Sequence, residues 1–152
     1  EGSGQALGDV WCLDFGRPLE PSQLTWSQVE THGPEFPCAR HRHSATPLPG
    51  GRLLVLGGLD GDNRPLGDAY VLSRAAKGRG EWSWRQLVGE GIPPAPRAHH
   101  TATLVEAAGG RGPRVVVFGG YGDGEFFGDL RVLDVVNEAW TVPEASGDRP
   151  AA

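Results

Sequence analysis

The sequence predicts an all-β protein built from repeated four-stranded units. Three observations lead to this prediction: short apolar runs of strand composition, almost no helix signal, and glycine-rich segments that recur at regular intervals. The chain has 24 Gly and 13 Pro among its 152 residues, a proportion that approaches that of low-complexity chains. Five tryptophans and a hydrophobic fraction of 38% argue for a folded chain, because disordered chains contain few aromatic residues.

The repeat is clearest in three blocks that start with a Gly-Asp pair and continue as a short apolar run. The aspartates lie about sixty residues apart and are Asp9, Asp68 and Asp129. A tryptophan-containing run follows each block, with Trp26, Trp84 and Trp140 at matching positions. Residues that recur in every unit are expected to serve the fold, so we predict buried tryptophans and structural aspartates.

Ten strands follow from these patterns, because each run is short, rich in β-branched and aromatic residues, and bounded by turn-forming residues. Two lie in a first unit of residues 1–30, at 9–14 and 25–29. Four lie in a second unit of residues 31–90, at 43–48, 52–57, 68–73 and 83–88. Four lie in a third unit of residues 91–147, at 100–105, 114–118, 129–134 and 139–143, and residues 148–152 begin the next repeat.

Two further motifs complete the repeat. Gly33…Pro37…Arg40…His43 precedes the first strand of the second unit, and Gly91…Pro94…Arg97…His100 precedes that of the third. Glycine pairs, Gly57-Gly58 and Gly119-Gly120, close the second strand of each unit. This combination resembles the kelch repeat, the blade of a β-propeller, in the type found in Rab effectors and host-cell factors. The resemblance covers the whole chain and implies about two and a half four-stranded blades.

The blade count predicts that the chain is an internal segment of a longer kelch propeller. Propellers usually need 4–8 blades to close, and an open array leaves unpaired strand edges. The remaining blades are therefore expected in the same longer chain. Assembly with other chains and an incomplete gene model are the alternatives.

Charge and composition exclude several classes of function. The net charge of -5 does not favour a general nucleic-acid binder, which normally carries a basic surface. No apolar run approaches the ~20 residues needed to span a bilayer, so no membrane segment is expected. The only cysteines are Cys12 and Cys38, too few for a disulfide scaffold, and this favours a cytoplasmic or nuclear location.

Arg40 and Arg97 are the first candidates for partner binding. By the resemblance, the segment that contains them and the loop after the glycine pair lie on one face of the propeller, near its central channel. Kelch substrate receptors of ubiquitin ligases use arginines at this position. A guanidinium group there would bind an acidic peptide or a C-terminal carboxylate through paired hydrogen bonds. The alternative is that both arginines bond neighbouring loops and hold the blades together.

The loops after the two glycine pairs differ between the units, and binding specificity is expected where loops differ. Aromatic and arginine side chains dominate the energetics of many interfaces. We therefore add six loop residues to the predicted partner-binding set, which is Arg40, Arg97, Asp60, Asn63, Arg64, Tyr121, Phe126 and Phe127.

The leading hypothesis is a non-enzymatic module that binds a peptide or protein partner. An acidic partner would fit Arg40 and Arg97. We expect this module to have no cofactor, no metal ion and no catalytic residue. Cys38, His41 and His43 have metal-like spacing, but the second copy of the motif has alanine at two of these positions. Two alternatives rest on the resemblance. One is a substrate-recognition propeller of a ubiquitin-ligase adaptor, and the other is part of a kelch-type enzyme such as an oxidase or epimerase.

Overall fold

A computed structural model describes residues 6–15, 24–75, 80–106 and 112–147. These ranges contain strands and turns and no helix long or apolar enough to cross a membrane. The predicted start of a further repeat at 148–152 lies outside the described residues. The first sheet has two antiparallel strands, β1 (Trp11–Asp14) and β2 (Thr25–Gln28).

The second sheet forms a complete blade with strand order β3-β7-β6-β5-β4. Its strands are β3 (Thr31–His32), β4 (Ser44–Leu48), β5 (Arg52–Leu56), β6 (Ala69–Arg74) and β7 (Trp82–Gln86). All neighbours are antiparallel except β3, which adds to the outer edge of β7 in parallel. The β4–β5 connection is a tight turn, with Leu48 paired to Arg52.

The third sheet repeats this plan with order β8-β14-β13-β10-β9, and a separate two-stranded hairpin follows β10. In chain order the strands are β8 (Glu90–Gly91), β9 (Thr101–Glu106), β10 (Pro113–Phe118), β11 (Tyr121–Gly122), β12 (Glu125–Phe126), β13 (Leu130–Asp134) and β14 (Ala139–Thr141). We call the second and third sheets the middle blade and the last blade.

The all-β prediction is confirmed, and each of the ten predicted strands is present with ends shifted by at most about two residues. Four two-residue strands were not predicted. β3 and β8 give each blade a fifth, outermost strand, and β11 and β12 form the extra hairpin. Two-residue strands are too short to show the alternation by which strands are predicted.

The main core lies between the two blades. Leu54 and Leu56 of the middle blade pack in one cluster with Val115, Val117 and Leu133 of the last blade. A smaller cluster forms on the other side of the middle blade, around Val55, Tyr70, Leu72 and Trp84. Successive residues of a strand face opposite sides of the sheet, so a strand buried on both sides reads as a continuous apolar run.

The tryptophan prediction is confirmed at two positions and wrong at the third. Trp84 and Trp140 are buried in the two clusters. Trp26 is exposed, although it occupies the same repeat position. Trp84 lies in the cluster against which Val10 of the first unit packs, and Trp140 lies in the cluster shared with the middle blade. A tryptophan at this position is therefore buried where the preceding unit covers it, and no described strand covers Trp26 in this way.

Candidate functional site

Four loops of the two blades meet at the same end of their sheets. Ser44 pairs with Leu56, so the segment before β4 lies beside the segment after β5. Thr101 pairs with Phe118, which gives the last blade the same arrangement. We call this end the loop face, formed by residues 33–43, 57–68, 91–100 and 119–129.

Arg40 lies beneath the loop face in the middle blade and bonds to that blade's own loops. Its Nη1 and Nη2 donate to the two carboxylate oxygens of Asp68, at 2.6 and 3.0 Å. Nη1 also donates to the carbonyl oxygen of Gly57 at 3.1 Å, and Nε donates to that of Cys38 at 3.2 Å. The guanidinium group thus joins the segment before β4 to the glycine pair and to the Gly-Asp pair.

Arg97 repeats this geometry in the last blade. Its Nη1 and Nη2 donate to Asp129 at 2.6 and 3.1 Å, and Nη1 donates to the carbonyl oxygen of Gly119 at 2.9 Å. Nε donates to the carbonyl oxygen of Ala95 at 3.0 Å. Asp129 accepts a further ion pair from Arg131 at 2.9 Å, for which the middle blade has no counterpart among its ion pairs.

The main chain of each arginine also links one unit to the next. The backbone N–H of Arg97 donates to Leu66 of the middle blade at 3.0 Å, and its carbonyl accepts from Gly58 at 2.9 Å. The backbone N–H of Arg40 donates to Leu7 at 3.1 Å, in the segment before β1. Each arginine therefore bonds the preceding unit through its backbone and its own blade through its side chain.

Arg40 and Arg97 are both buried and both paired with an aspartate, as expected of residues that stabilise the fold. Arg40 is 6% exposed and Arg97 is 1% exposed. Burial opposes the charge of Arg40, but the hydrogen bonds and charge of Asp68 outweigh it and raise the pKa of the guanidinium. The Arg97 hydrogen bonds, assisted by the charges of Arg97 and Arg131, lower the pKa of Asp129. These contacts favour the alternative that the arginines hold the loops, and direct partner contact by Arg40 and Arg97 stays a prediction.

Asp68 and Asp129 bind Arg40 and Arg97, contacts that suit the structural role predicted for these aspartates. The sequence contained an unused signal for this pairing. Arginine and aspartate recur in both complete units at matched positions and carry opposite charges. The first block differs, because Asp9 accepts a hydrogen bond from the Trp11 indole N–H at 2.6 Å.

The second glycine of each pair is required by a close approach of two backbones. Gly58 and Gly120 have φ of 98° and 102°, in the region that favours glycine. A Cβ at Gly58 would lie 2.6 Å from the carbonyl oxygen of His41, and one at Gly120 would lie 2.7 Å from that of Ala98. The glycine pair thus lets the loop after the second strand lie directly against the segment before the first strand.

The two loops that follow the glycine pairs are attached in the same way. Leu59 exchanges two main-chain hydrogen bonds with His41, at 2.8 and 3.0 Å. Tyr121, at the same repeat position, exchanges two with Ala98, both at 2.8 Å. Gly58 and Gly120 close the loops by accepting main-chain bonds from Leu66 and Phe127, both at 2.9 Å.

In the middle blade this loop uses its polar groups internally. One carboxylate oxygen of Asp60 accepts the backbone N–H groups of Asp62 and Arg64, at 2.8 and 2.9 Å. These backbone hydrogen bonds lower the pKa of Asp60. Arg64 forms an exposed ion pair with Asp62 at 3.3 Å, and Asn63 occupies the left-handed region with φ of 62°. Three predicted binding residues, Asp60, Asn63 and Arg64, thus share one turn.

In the last blade the loop is the β11–β12 hairpin, which we call the aromatic hairpin (residues 121–126). Its two-residue turn is Asp123-Gly124, with φ of 50° and 88°, the combination of a type I′ turn. Tyr121 and Phe126 pair across the hairpin with ring centroids 5.0 Å apart. Both rings are exposed, and Phe126 is 72% exposed. The Asp-Gly pair is a hairpin signal that the sequence prediction left unused.

Phe127 connects the aromatic hairpin to the buried arginine below it. The Arg97 guanidinium lies 4.2 Å from the centroid of the Phe127 ring, within the range of a cation–π contact. An open groove beside the hairpin is lined by four aromatic residues, Phe118, Tyr121, Phe126 and Phe127, together with His99, Thr101 and three glycines. The structure therefore brings the three predicted aromatic residues together around one groove, with Arg97 buried beneath it.

The motif histidines differ in burial. His100 is buried, and one of its ring nitrogens lies 2.8 Å from the Ser44 hydroxyl on the innermost strand of the middle blade. Burial, together with the charges of Arg97 and His43, lowers the pKa of His100 to about 4. His43, at the same repeat position, is exposed. A packing and hydrogen-bonding role fits His100. Burial and the charges of Arg40 and His41 also lower the pKa of His43.

Two exposed residues of the loop face were missed by the sequence analysis. Arg42 and His99 occupy one repeat position, and both have φ of 57°. The guanidinium of Arg42 lies 3.1 Å from a ring nitrogen of His99, across the junction of the two blades. A left-handed non-glycine residue repeated in two blades marks a turn that sequence composition alone does not reveal.

The part of the chain that the structure describes contains no group of three or more His, Cys, Asp or Glu placed to hold a metal ion. The cysteines Cys12 and Cys38 are free and exposed. The Cys38 sulfur instead lies 3.5 Å from Nη2 of Arg40.

Comparisons with known proteins agree with this architecture. A family model described as the KLHDC2/KLHL20/DRC7 Kelch-repeats domain matches residues 1–152. The fold resembles a chain in a structure described as "Cryo-EM structure of RAG in complex with one melted RSS and one unmelted RSS", with a TM-score of 0.67. That match has 14% identity and covers 89% of this chain and 43% of the other, so it concerns the fold alone.

Among curated proteins, Host cell factor 2 of Homo sapiens is 34% identical over 155 residues, which covers 91% of this chain and 19% of that protein. Acyl-CoA-binding domain-containing protein 4 of Arabidopsis thaliana is 30% identical over 132 residues, covering 87% of this chain and 18% of that protein. The chain therefore spans less than a fifth of either relative. With its repeats, its glycine pairs and a family model that matches its whole length, the chain belongs to the kelch-repeat family, whose domains generally bind proteins or peptides.

Proposed function

We propose that this chain contributes part of a non-enzymatic kelch propeller that binds a protein segment on its loop face. The observation that carries the proposal is the aromatic hairpin, which holds Tyr121 and Phe126 exposed beside a groove. Exposed aromatic side chains on a fixed hairpin lose little conformational freedom on binding, which makes them effective interface anchors.

The remaining predicted residues fall into two groups in this proposal. Asp60, Asn63 and Arg64 stand on the neighbouring loop and would contribute polar contacts at the rim of the interface. Arg40 and Arg97 would act from below by fixing the loops that carry the binding residues. The two arginines no longer favour an acidic partner, because Asp68 and Asp129 already neutralise the charges of Arg40 and Arg97.

The proposal is tested by comparing two exposed hydrophobic residues at opposite ends of the same blade. Phe126 is 72% exposed on the loop face, and Val136 is 67% exposed. Val136 follows Asp134, which pairs with Arg114 at the end of the sheet away from Gly119. The two side chains are thus matched in exposure and differ in position.

The experiment introduces Phe126→Ser or Val136→Ser into the full-length protein, labels neighbouring proteins in cells by proximity, and quantifies them by mass spectrometry. We expect Phe126→Ser to deplete a set of partners and Val136→Ser to retain it, with unchanged abundance of both variants. An identical partner set for Phe126→Ser and the unmodified protein would contradict the proposal.

A role in a ubiquitin-ligase adaptor would add subunits of a ligase to the partners that depend on Phe126. The free, exposed thiols of Cys12 and Cys38 are compatible with the proposed cytoplasmic or nuclear location. A sulfhydryl-labelling assay on intact and permeabilised cells would test that location.

A further inference from the structure

We infer that the aromatic hairpin takes a partner segment in which a lysine or arginine stands next to a hydrophobic side chain. This inference rests on the proposed function and specifies the chemistry of its partner. It departs from the acidic partner suggested by the sequence, because it starts from the charges that the fold leaves uncompensated.

Charge pairing removes most of the loop-face charges from consideration. Arg40 and Arg97 bind Asp68 and Asp129 beneath the surface. Arg64 and Asp62 form an ion pair within their own turn. The charges that remain near the groove are those of the hairpin and that of the exposed Arg42, whose guanidinium contacts His99 in the lining of the groove.

The hairpin contributes two acids and no base. Asp123 and Glu125 are exposed, and neither forms a hydrogen bond or ion pair with any described residue. The sequence has no Lys, Arg or His between Arg114 and Arg131. The hairpin itself is therefore negative, and a positive group is the electrostatic complement of its two acids, on the part of the surface that Arg42 and His99 do not supply.

The pairing register relates the two acids to the two aromatic rings. Tyr121 and Phe126 pair on one side of the two-stranded hairpin, whereas Glu125 pairs with Gly122 and begins on the other side. Asp123 stands at the turn, between the two sides. A cation lying over the Tyr121 and Phe126 rings would gain a cation–π contact and an ion pair with Asp123, while Glu125 adds to the negative potential.

The groove supplies the second half of the recognition. Its lining is mainly aromatic, with Phe118, Tyr121, Phe126 and Phe127, and His99 and Thr101 add polar side chains. A hydrophobic side chain one to three residues from the cation would enter this groove. The inferred partner is thus a short segment that combines one aliphatic or aromatic residue with one basic residue.

The test selects peptides from a random linear library displayed on phage, using the full-length protein as the target. We expect selected peptides that lose binding on Phe126→Ser and that carry Lys or Arg within about three residues of a hydrophobic residue. The variant Asp123→Asn with Glu125→Gln should weaken their binding roughly tenfold, as expected for a lost partly exposed ion pair. Asparagine accepts the left-handed backbone at position 123, so this variant keeps the turn.

The outcomes separate the inference from the proposed function. Peptides that depend on Phe126 but are acidic, or are unaffected by neutralising Asp123 and Glu125, overturn the inference and leave the loop face as the binding surface. A selection that yields no peptide dependent on Phe126 contradicts both. Val136→Ser serves as the control in each measurement and should leave every peptide bound.

Discussion

The middle and last blades share one support beneath the loop face and carry different loops on it. In both, an arginine bonds an aspartate and a glycine carbonyl, and the loop is attached through two main-chain bonds at the same repeat position. That position is the buried Leu59 in one blade and the exposed Tyr121 in the other. The repeat therefore fixes the position of each loop, whereas the residues after the glycine pair determine which side chains the loop exposes.

The loops also differ in how they use their acids. In the middle blade Asp60 accepts backbone N–H groups and Asp62 pairs with Arg64, so the turn uses its polar groups internally. In the last blade the Asp123-Gly124 turn needs no such bonds, because its left-handed φ values close the hairpin. The hairpin's acids and aromatic rings are consequently left for a partner.

The largest expected effect comes from removing the acid of the shared support. Asp129→Ala leaves two cations uncompensated, Arg97 and Arg131, whereas Asp68→Ala leaves only Arg40. Breaking a buried ion pair costs about 3–5 kcal/mol, and these carboxylates are 30% and 25% exposed. We expect losses in free energy of unfolding of about 4 kcal/mol for Asp129→Ala and about 3 kcal/mol for Asp68→Ala, measured by denaturant titration.

The exposed pair in the middle-blade loop provides the control for this prediction. Asp62→Ala removes a carboxylate that bonds Arg64 at the surface, and exposed pairs contribute about 0–1 kcal/mol. Equal losses for Asp62→Ala and Asp129→Ala would contradict the distinction between support and loop.

A smaller loss is expected from the glycine pairs, and it should be the same in both blades. Gly58→Ala and Gly120→Ala each force a Cβ against a carbonyl oxygen while the backbone keeps a positive φ. Strain of this kind costs about 2 kcal/mol. Gly50→Ala is the matched control, because its φ of 78° is also positive but open space surrounds the added Cβ. Thermal unfolding of the three variants should rank the control as the least destabilised.

The smallest effect is a pH dependence to which the histidine of the last blade contributes more than that of the middle blade. His100 has a pKa of about 4 in the folded protein and 6.5 in its reference state, so the unfolded chain binds more protons between these values. Stability should therefore fall as the pH drops through that window and stop falling below it. At about pH 5.5 the loss amounts to roughly 1 kcal/mol relative to neutral pH.

Substitution of the two motif histidines measures this contribution. His100→Gln should flatten the dependence of the free energy of unfolding on pH between 6.5 and 4. His43→Gln should flatten it by a smaller amount, because burial and the charges of Arg40 and His41 lower the pKa of His43 but its side chain is more exposed than that of His100. A pH profile that responds equally to both substitutions would contradict the assigned difference between the blades.

The sequence was sufficient to predict the strands because each is a short apolar run between turn residues, as Leu53–Leu56 and Val115–Phe118 show. It could not show that the β1–β2 sheet lacks a covering layer, and Trp26 was misplaced for that reason. The pairing of Arg40 with Asp68 spans 28 residues, a separation at which the folded topology decides which charges meet. The aromatic residues of the site were predicted because the loops after the two glycine pairs differ in sequence. The exposure of Arg42 and His99 was not predicted, because it arises from a left-handed backbone conformation that the residue types do not reveal.

The division between a structural support and a binding loop is tested most directly by the thermal unfolding of one variant. Arg40→Ala combined with Arg97→Ala in the full-length protein removes both guanidinium groups and with them the hydrogen bonds that they donate to Asp68, Asp129 and the two glycine carbonyls. The account predicts a clear fall in the melting temperature relative to both the unmodified protein and the Phe126→Ser variant. An unchanged melting temperature, together with loss of partner binding, would contradict it and return the two arginines to the binding surface.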